Sequence, residues 1–304
     1  MLRGVERSGE VLLLPRPVTE SLLARERVFL DGELGSLLVE LGFAEAYRRS
    51  SPSSREEDRN RVFAAALCDG VDDPLAALRS RRFIVVGCGG LGANVAVTLA
   101  ALGTTQLTLI DGDIIEPSNL SRLLWASPEH VGASKVAVLG EHLGRRFGVQ
   151  ADVVTQMASS DLAGRILDRD EQERETPIWV LTVDQPDSAR EVVARLHRQA
   201  RFSYVHAGYV GARCSAGPVA VDGGDPCPFC DASHYRVDNH GYVAPSAAPN
   251  NQLIASLLAA QLLRLATLGP SGTFLRGHRW ALDLVSGGVE TKPLRKSRYC
   301  EVCS

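Results

Sequence analysis

From Arg82 onward, short apolar runs alternate with amphipathic stretches. Phe83-Ile84-Val85-Val86 is continuously apolar, the pattern of a parallel strand buried on both faces. The glycine-rich turn Gly87-Cys88-Gly89-Gly90-Leu91-Gly92 follows and leads into a helical stretch ending at Ala101. Residues 107–110 predict the next strand, and 135–147 the next helix. Two further strands are expected over 178–182 and 204–207, separated by a helix over 188–198. Residues 253–268, interrupted only by polar positions such as Gln261 and Arg264, read as a buried helix rather than a membrane span. This alternation implies an α/β, Rossmann-like fold with an open, mostly parallel sheet and helices on both faces.

The first 80 residues have a different texture. A strand is expected over 11–14, short helices over 19–27 and 34–41, and a helix over 60–68. Ser50-Ser51-Pro52-Ser53-Ser54-Arg55-Glu56-Glu57-Asp58 is polar and turn-rich, the composition of a linker. The division expected from this change is a small module with its linker over 1–54 and a main domain over 55–304.

Composition narrows the possible partners. A formal net charge of −3 spread over 304 residues gives no polyanion-binding surface, so no nucleic acid partner is expected. No secretory core or membrane span is evident, and a cytoplasmic location is the expectation. Of seven cysteines, Cys68, Cys88 and Cys214 stand alone, and the others form Cys227-Pro228-Phe229-Cys230 and Cys300-Glu301-Val302-Cys303. Two such knuckles supply four thiolates for a tetrahedral Zn²⁺, and a metal with no open coordination position is structural. Two disulfides or a redox site are the alternatives.

Gly87-x-Gly89-x-x-Gly92 between a strand and a helix suits a phosphate at the helix N-terminus, yet would equally serve a nicotinamide cofactor. The next segment separates the two. Asp111, at the end of the following strand, is placed to hold ribose hydroxyls. It opens Asp111-Gly112-Asp113, followed by Ser118-Asn119-Leu120-Ser121-Arg122 and then Lys135. Two cations here suit a triphosphate, because Arg122 and Lys135 can neutralise the charge that develops as pyrophosphate leaves. Asp184, beyond the strand at 178–182, stands where a Mg²⁺ ligand would sit. Taken singly, Asp113 and Asn119 could cap turns, and any Arg or Lys could be a solvated charge.

The string from Asp111 to Lys135, with Gly89-Gly90-Leu91-Gly92 ahead of it, resembles the adenylyltransferases of the ubiquitin-activating superfamily. That resemblance implies ATP and Mg²⁺, adenylation of a carboxylate, and a homodimer with composite sites. By it, Gly87, Gly89, Gly90, Gly92, Asp113 and Asn119 belong to the ATP site. Asp111 holds the ribose, Arg122 and Lys135 the phosphates, and Asp184 the metal. Arg61 matches the arginine that reaches the neighbouring protomer's ATP, with Arg59 as the alternative. The chain departs from the sulfur-carrier pattern at Leu123 and Gln185, which argues for an outlying branch. It is more similar to the peptide-modifying branch typified by microcin C synthesis. The stretches carrying that likeness are Val205-His206-Ala207-Gly208-Tyr209-Val210, Gly217-Pro218, and Ala244-Pro245 with Asn250-Asn251. The resemblance implies that the first fifty or so residues are a winged-helix-type α+β clamp for a short precursor peptide.

Residues 231–252 contain no cysteine, so no enzyme thioester is expected. His206, His234 and His240 are the candidate general bases, none compelling. The function expected is activation of a carboxylate of a short ribosomal peptide as its acyl-adenylate. Alternatives are activation of the C-terminal glycine of a ubiquitin-like sulfur carrier, or a nucleotide-binding interaction protein that no longer catalyses.

Overall fold

The computed structural model describes residues 2–7, 10–15, 37, 55–173, 176–183, 187–197, 202–230 and 245–303. The chain divides into two compact units, Met1–Arg55 and Glu56–Ser304. In the first, β1 (Leu2–Arg7) pairs antiparallel with β2 (Glu10–Pro15), in register from Leu2 opposite Pro15 to Arg7 opposite Glu10. The strand expected over 11–14 therefore lies in β2. The helix expected over 19–27 lies outside the described residues; of 34–41 only Leu37 is described, and it is helical.

The second unit opens with α1 (Arg55–Leu67) and α2 (Pro74–Arg79). The expected linker is thus too long: Arg55 to Asp58 are already helical. Glutamate is a good helix former, and acidic residues in a first turn complement the helix dipole, which outweighs their polar, linker-like composition. Then come β3 (Arg82–Val86), α3 (Gly90–Ala101), β4 (Gln106–Ile110), α4 (Lys135–Phe147), β5 (Asp152–Val154), α5 (Ser160–Glu173) and β6 (Ile178–Leu181). They are followed by α6 (Asp187–Leu196), β7 (Ser203–Val210), β8 (Arg213–Ala220), α7 (Ala248–Leu268), β9 (His278–Asp283) and β10 (Val289–Pro293).

The sheet runs β10-β9-β8-β7-β6-β3-β4-β5. Its five strands from β7 to β5 are parallel, and β8, β9 and β10 extend it antiparallel. Phe83 and Val85 of β3 pack into one core while Ile84 and Val86 pack into the other. Such two-sided burial is why the strand has no polar alternation. The first core holds α3, α4 and α7; the second holds α5, α6 and the paired cysteines. By length and composition α7 could cross a membrane, but its Ile254, Leu258, Leu262 and Leu263 are buried in the first core. Cys68, which the sequence leaves ahead of the domain, is fully buried in that core as well. Thiols of this kind pack as small apolar groups.

Candidate active site

From β3 the chain winds outward to β4 and β5, then returns to lay β6 and β7 on the other side of β3. The carboxyl ends of β3 and β6 therefore flank a topological switch point, where open α/β sheets form their ligand crevice. The glycine turn leaves β3 at this place. Gly87 has φ +85°, and a side chain on it would meet Val183 Cγ1 at 2.7 Å. On Gly92 it would lie 1.9 Å from Gly87 O and 2.4 Å from Thr182 Oγ1. Thr182 Oγ1 itself donates to Gly87 O at 2.6 Å, locking the turn to the end of β6.

Gly89, by contrast, caps α3 with no atom of the described residues within 4 Å of where a side chain would go. That open space fits a phosphate approaching the helix N-terminus. Gly92→Ala is accordingly expected to destabilise the protein by about 1–3 kcal/mol through overpacking against backbone. Gly89→Ala is expected to unfold at the wild-type temperature yet bind ATP more weakly. Thermal unfolding and nucleotide titration of both variants check this pair; equal effects at the two positions would refute it.

Asp111 sits at the strand end with both oxygens engaged. Oδ2 accepts from Cys88 N at 2.7 Å and Oδ1 from Asp113 N at 2.8 Å. Burial raises its pKa above the usual aspartate value, with the Asp113 amide and the Lys135 ammonium pulling the other way. Lys135 begins α4 behind the cap Ser134, whose hydroxyl accepts from Ala137 N. Its ammonium meets Asp113 Oδ2 at 2.8 Å, and its own amide donates to Asp113 O at 3.0 Å. Asp113 is thus the acid that aims Lys135.

Asn119 is buried and shapes the loop before Arg122. Its Oδ1 accepts from Glu116 N at 3.3 Å, and its backbone carbonyl accepts from Arg122 N at 3.0 Å. Arg122 donates to Ser118 O at 3.1 Å, and its stem runs past Gly90, where an added side chain would meet Cδ at 2.9 Å. Asn251 of α7 closes on the same point, with Cγ and Oδ1 each 2.9 Å away. Sequence reading did not select Asn251 as a site residue, since nothing in an apolar helix marks which asparagine meets the glycine turn.

The structure thus gathers the glycine turn, Asp111, Asp113, Asn119, Arg122 and Lys135. Asp184 lies outside the described residues. Arg61 is not brought to this chain's own crevice. Its neighbour Asn60 donates to Ala101 O, at the end of α3 remote from the glycine turn, about 18 Å along a helix of 12 residues. Cys88 is fully buried, and burial pushes its thiol well up, so it is packed rather than nucleophilic. His206 lies buried on β7, its Nε2 3.2 Å from Arg190 Nη1; burial, with Arg190 beside it, holds the imidazole neutral well below its usual range. His234 and His240 lie outside the described residues.

The two knuckles converge as the sequence expects. The sulfur atoms of Cys227, Cys230, Cys300 and Cys303 all lie within 4.8 Å of one another. Neighbouring pairs are 3.8, 3.5 and 3.3 Å apart. Disulfide sulfurs would be about 2.05 Å apart, whereas four thiolates at about 2.3 Å from one zinc stand about 3.8 Å apart. The donor set and its spacing fit zinc. Hydrogen bonding within the cluster lowers Cys230 and raises Cys227.

The ThiF family pattern matches residues 59–302. The adenylyltransferase and sulfurtransferase uba4 of Aspergillus fumigatus is 46% identical over 66 residues, 22% of this chain and 13% of that relative. The chain thus aligns with only a small part of such relatives' length. Among solved structures, E. coli MccB with ATP superposes with a TM-score of 0.71 at 24% identity, covering 89% of this chain and 80% of the other. Another E. coli MccB structure covers 100% and 95% with a TM-score of 0.73 and 20% identity. These superpositions share the fold, and the family pattern spans most of the 304 residues. The chain belongs to the ThiF family.

Proposed function

We propose that this protein is an ATP-dependent adenylyltransferase that activates a carboxylate of a short precursor peptide as its acyl-adenylate. One observation carries the reading: Lys135, aimed by Asp113, and Arg122, beside Gly90, flank the open N-terminus of α3 next to Asp111. A carboxylate oxygen of the peptide attacks the α-phosphorus of ATP, the acyl–oxygen–phosphorus bond forms, and the bond to pyrophosphate breaks. Asp111 accepts from the ribose hydroxyls. Arg122 and Lys135 neutralise the oxygens of the departing pyrophosphate, while the amides of the glycine turn orient the chain of phosphates.

Mg²⁺ would be held by Asp184 and would supply positive charge to the phosphates. Zn²⁺ would be held by Cys227, Cys230, Cys300 and Cys303, where it would join the two distant knuckles and take no part in the chemistry. In a homodimer Arg61 would serve the partner's site. The N-terminal module would hold the peptide, and a cytoplasmic location fits such a substrate. The peptide reading draws on the likeness to the microcin C7 biosynthetic enzyme MccB, solved in complex with N-formylated MccA. The cysteine-free segment at 231–252 favours direct attack on the adenylate over an enzyme thioester.

A second reading, activation of a ubiquitin-like sulfur carrier, is favoured by the 66-residue match to uba4. Pyrophosphate exchange separates the two. Exchange is expected with short synthetic peptides bearing a free carboxylate and not with a carrier ending in Gly-Gly. Exchange with the carrier alone would transfer the assignment to the second reading; none with either would refute both.

A further inference from the structure

Asn251 is fully buried at the start of α7, and among the described residues no donor hydrogen-bonds its carbonyl oxygen Oδ1. The other end of the amide fixes which way it faces. Nδ2 donates to Ala247 O at 2.7 Å and to Ser246 Oγ at 3.1 Å, and a backbone carbonyl can accept only from the amide nitrogen. Tyr209 OH also bonds Ser246 Oγ, so β7 braces the arrangement. Oδ1 is thereby aimed at Gly90, at the point that the Arg122 stem also approaches. A buried acceptor left without a donor is costly, and is kept where a donor arrives later.

Among the described residues Arg122 is the donor within reach. It is half-buried, and its bond to Ser118 O uses one of its five N–H groups. Nε lies one bond beyond the Cδ that already shares the Gly90 slot with Asn251. We propose that Asn251 is a positioning residue for adenylation. When a triphosphate draws the guanidinium off the Ser118 carbonyl, Asn251 Oδ1 accepts one of its N–H groups and holds its plane toward the phosphates. Gly90 is glycine because both side chains need that space. This assignment rests on the reading that the crevice binds ATP.

A double-mutant cycle tests it, with Mg·ATP titrated calorimetrically into the full-length wild type, Asn251→Ala, Arg122→Ala and the double variant. Asn251→Ala is expected to weaken binding about tenfold, the range of one hydrogen bond to a charged group. In the Arg122→Ala background the same change should cost less than twofold, because the donor is already gone. Thermal unfolding reports whether each variant folds. Should Asn251→Ala not fold, Asn251→Ser carries the test: its hydroxyl can still donate to Ala247 O but withdraws the acceptor from Gly90, so it should weaken binding about tenfold alone and less than twofold beside Arg122→Ala. Equal losses in both backgrounds, or no loss in the folded single variant, would overturn the positioning role while leaving the ATP site standing. A wild-type protein that binds no ATP would remove both.

Discussion

Alanine at position 135 is expected to lower peptide-dependent pyrophosphate exchange by about 10²–10³-fold, the effect of deleting one preorganised group that meets developing charge. Lys135 is the first residue of α4, its ammonium is 2.8 Å from Asp113, and its side chain is only 11% exposed. The charge is therefore held in place rather than swept through solvent, and little reorganisation is needed when pyrophosphate departs. Asp113 is 57% exposed, so water can solvate it once the lysine is gone. A pair of this kind contributes roughly 0–1 kcal/mol to stability. The variant should therefore unfold within about 3 °C of wild type while losing exchange. Exchange within twofold of wild type would show that Lys135 does not meet the leaving group.

Loss of zinc, or of one of its ligands, is expected to have the largest effect on stability. Cys227 and Cys230 lie on the segment leaving β8, and Cys300 and Cys303 lie beyond β10, about 73 residues later for each close pair. A single ion there would tie the end of the described chain to the second core, where Cys227, Cys300 and Cys303 are buried beside Tyr204 and Phe202. Structural zinc contributes ~10–16 kcal/mol in small finger peptides. If Cys300→Ser loses about 4 kcal/mol of this, the unfolding midpoint falls by roughly 10 °C. Metal analysis should find one zinc per chain in the wild type and little in the variant. A metal-free wild type that unfolds at the same temperature with and without chelator would defeat the assignment. Because no ligand of this cluster belongs to the ATP crevice, partially folded variant should keep its nucleotide affinity when assayed below its midpoint.

Where local pattern and tertiary role coincide, the sequence was readable. The run Phe83 to Val86 is apolar because both of its faces are covered, and α4 starts and stops where Ser134 and Gly148 cap it. Elements with weaker local signals went unread. β5 is three residues long with two exposed, and β10 is exposed throughout, so neither carries an apolar face to betray it. Arg55 to Asp58 read as linker because charged and turn-forming residues share that composition, whereas glutamate's helix propensity and the helix dipole make them the first turn of α1.

Residue order alone made legible the class of fold, the glycine turn, the acid–cation string from Asp111 to Lys135 and the four paired cysteines. Each is a local feature, in which neighbours along the chain set backbone geometry or ligand spacing. Tertiary packing alone sets Asp113 against Lys135 across 22 residues, brings Asn251 and the Arg122 stem to Gly90, and closes the knuckles to within 4.8 Å. Those relations depend on how β3, β4 and α7 are stacked, and stacking is fixed by packing between elements far apart in the chain. No residue pattern encodes it locally.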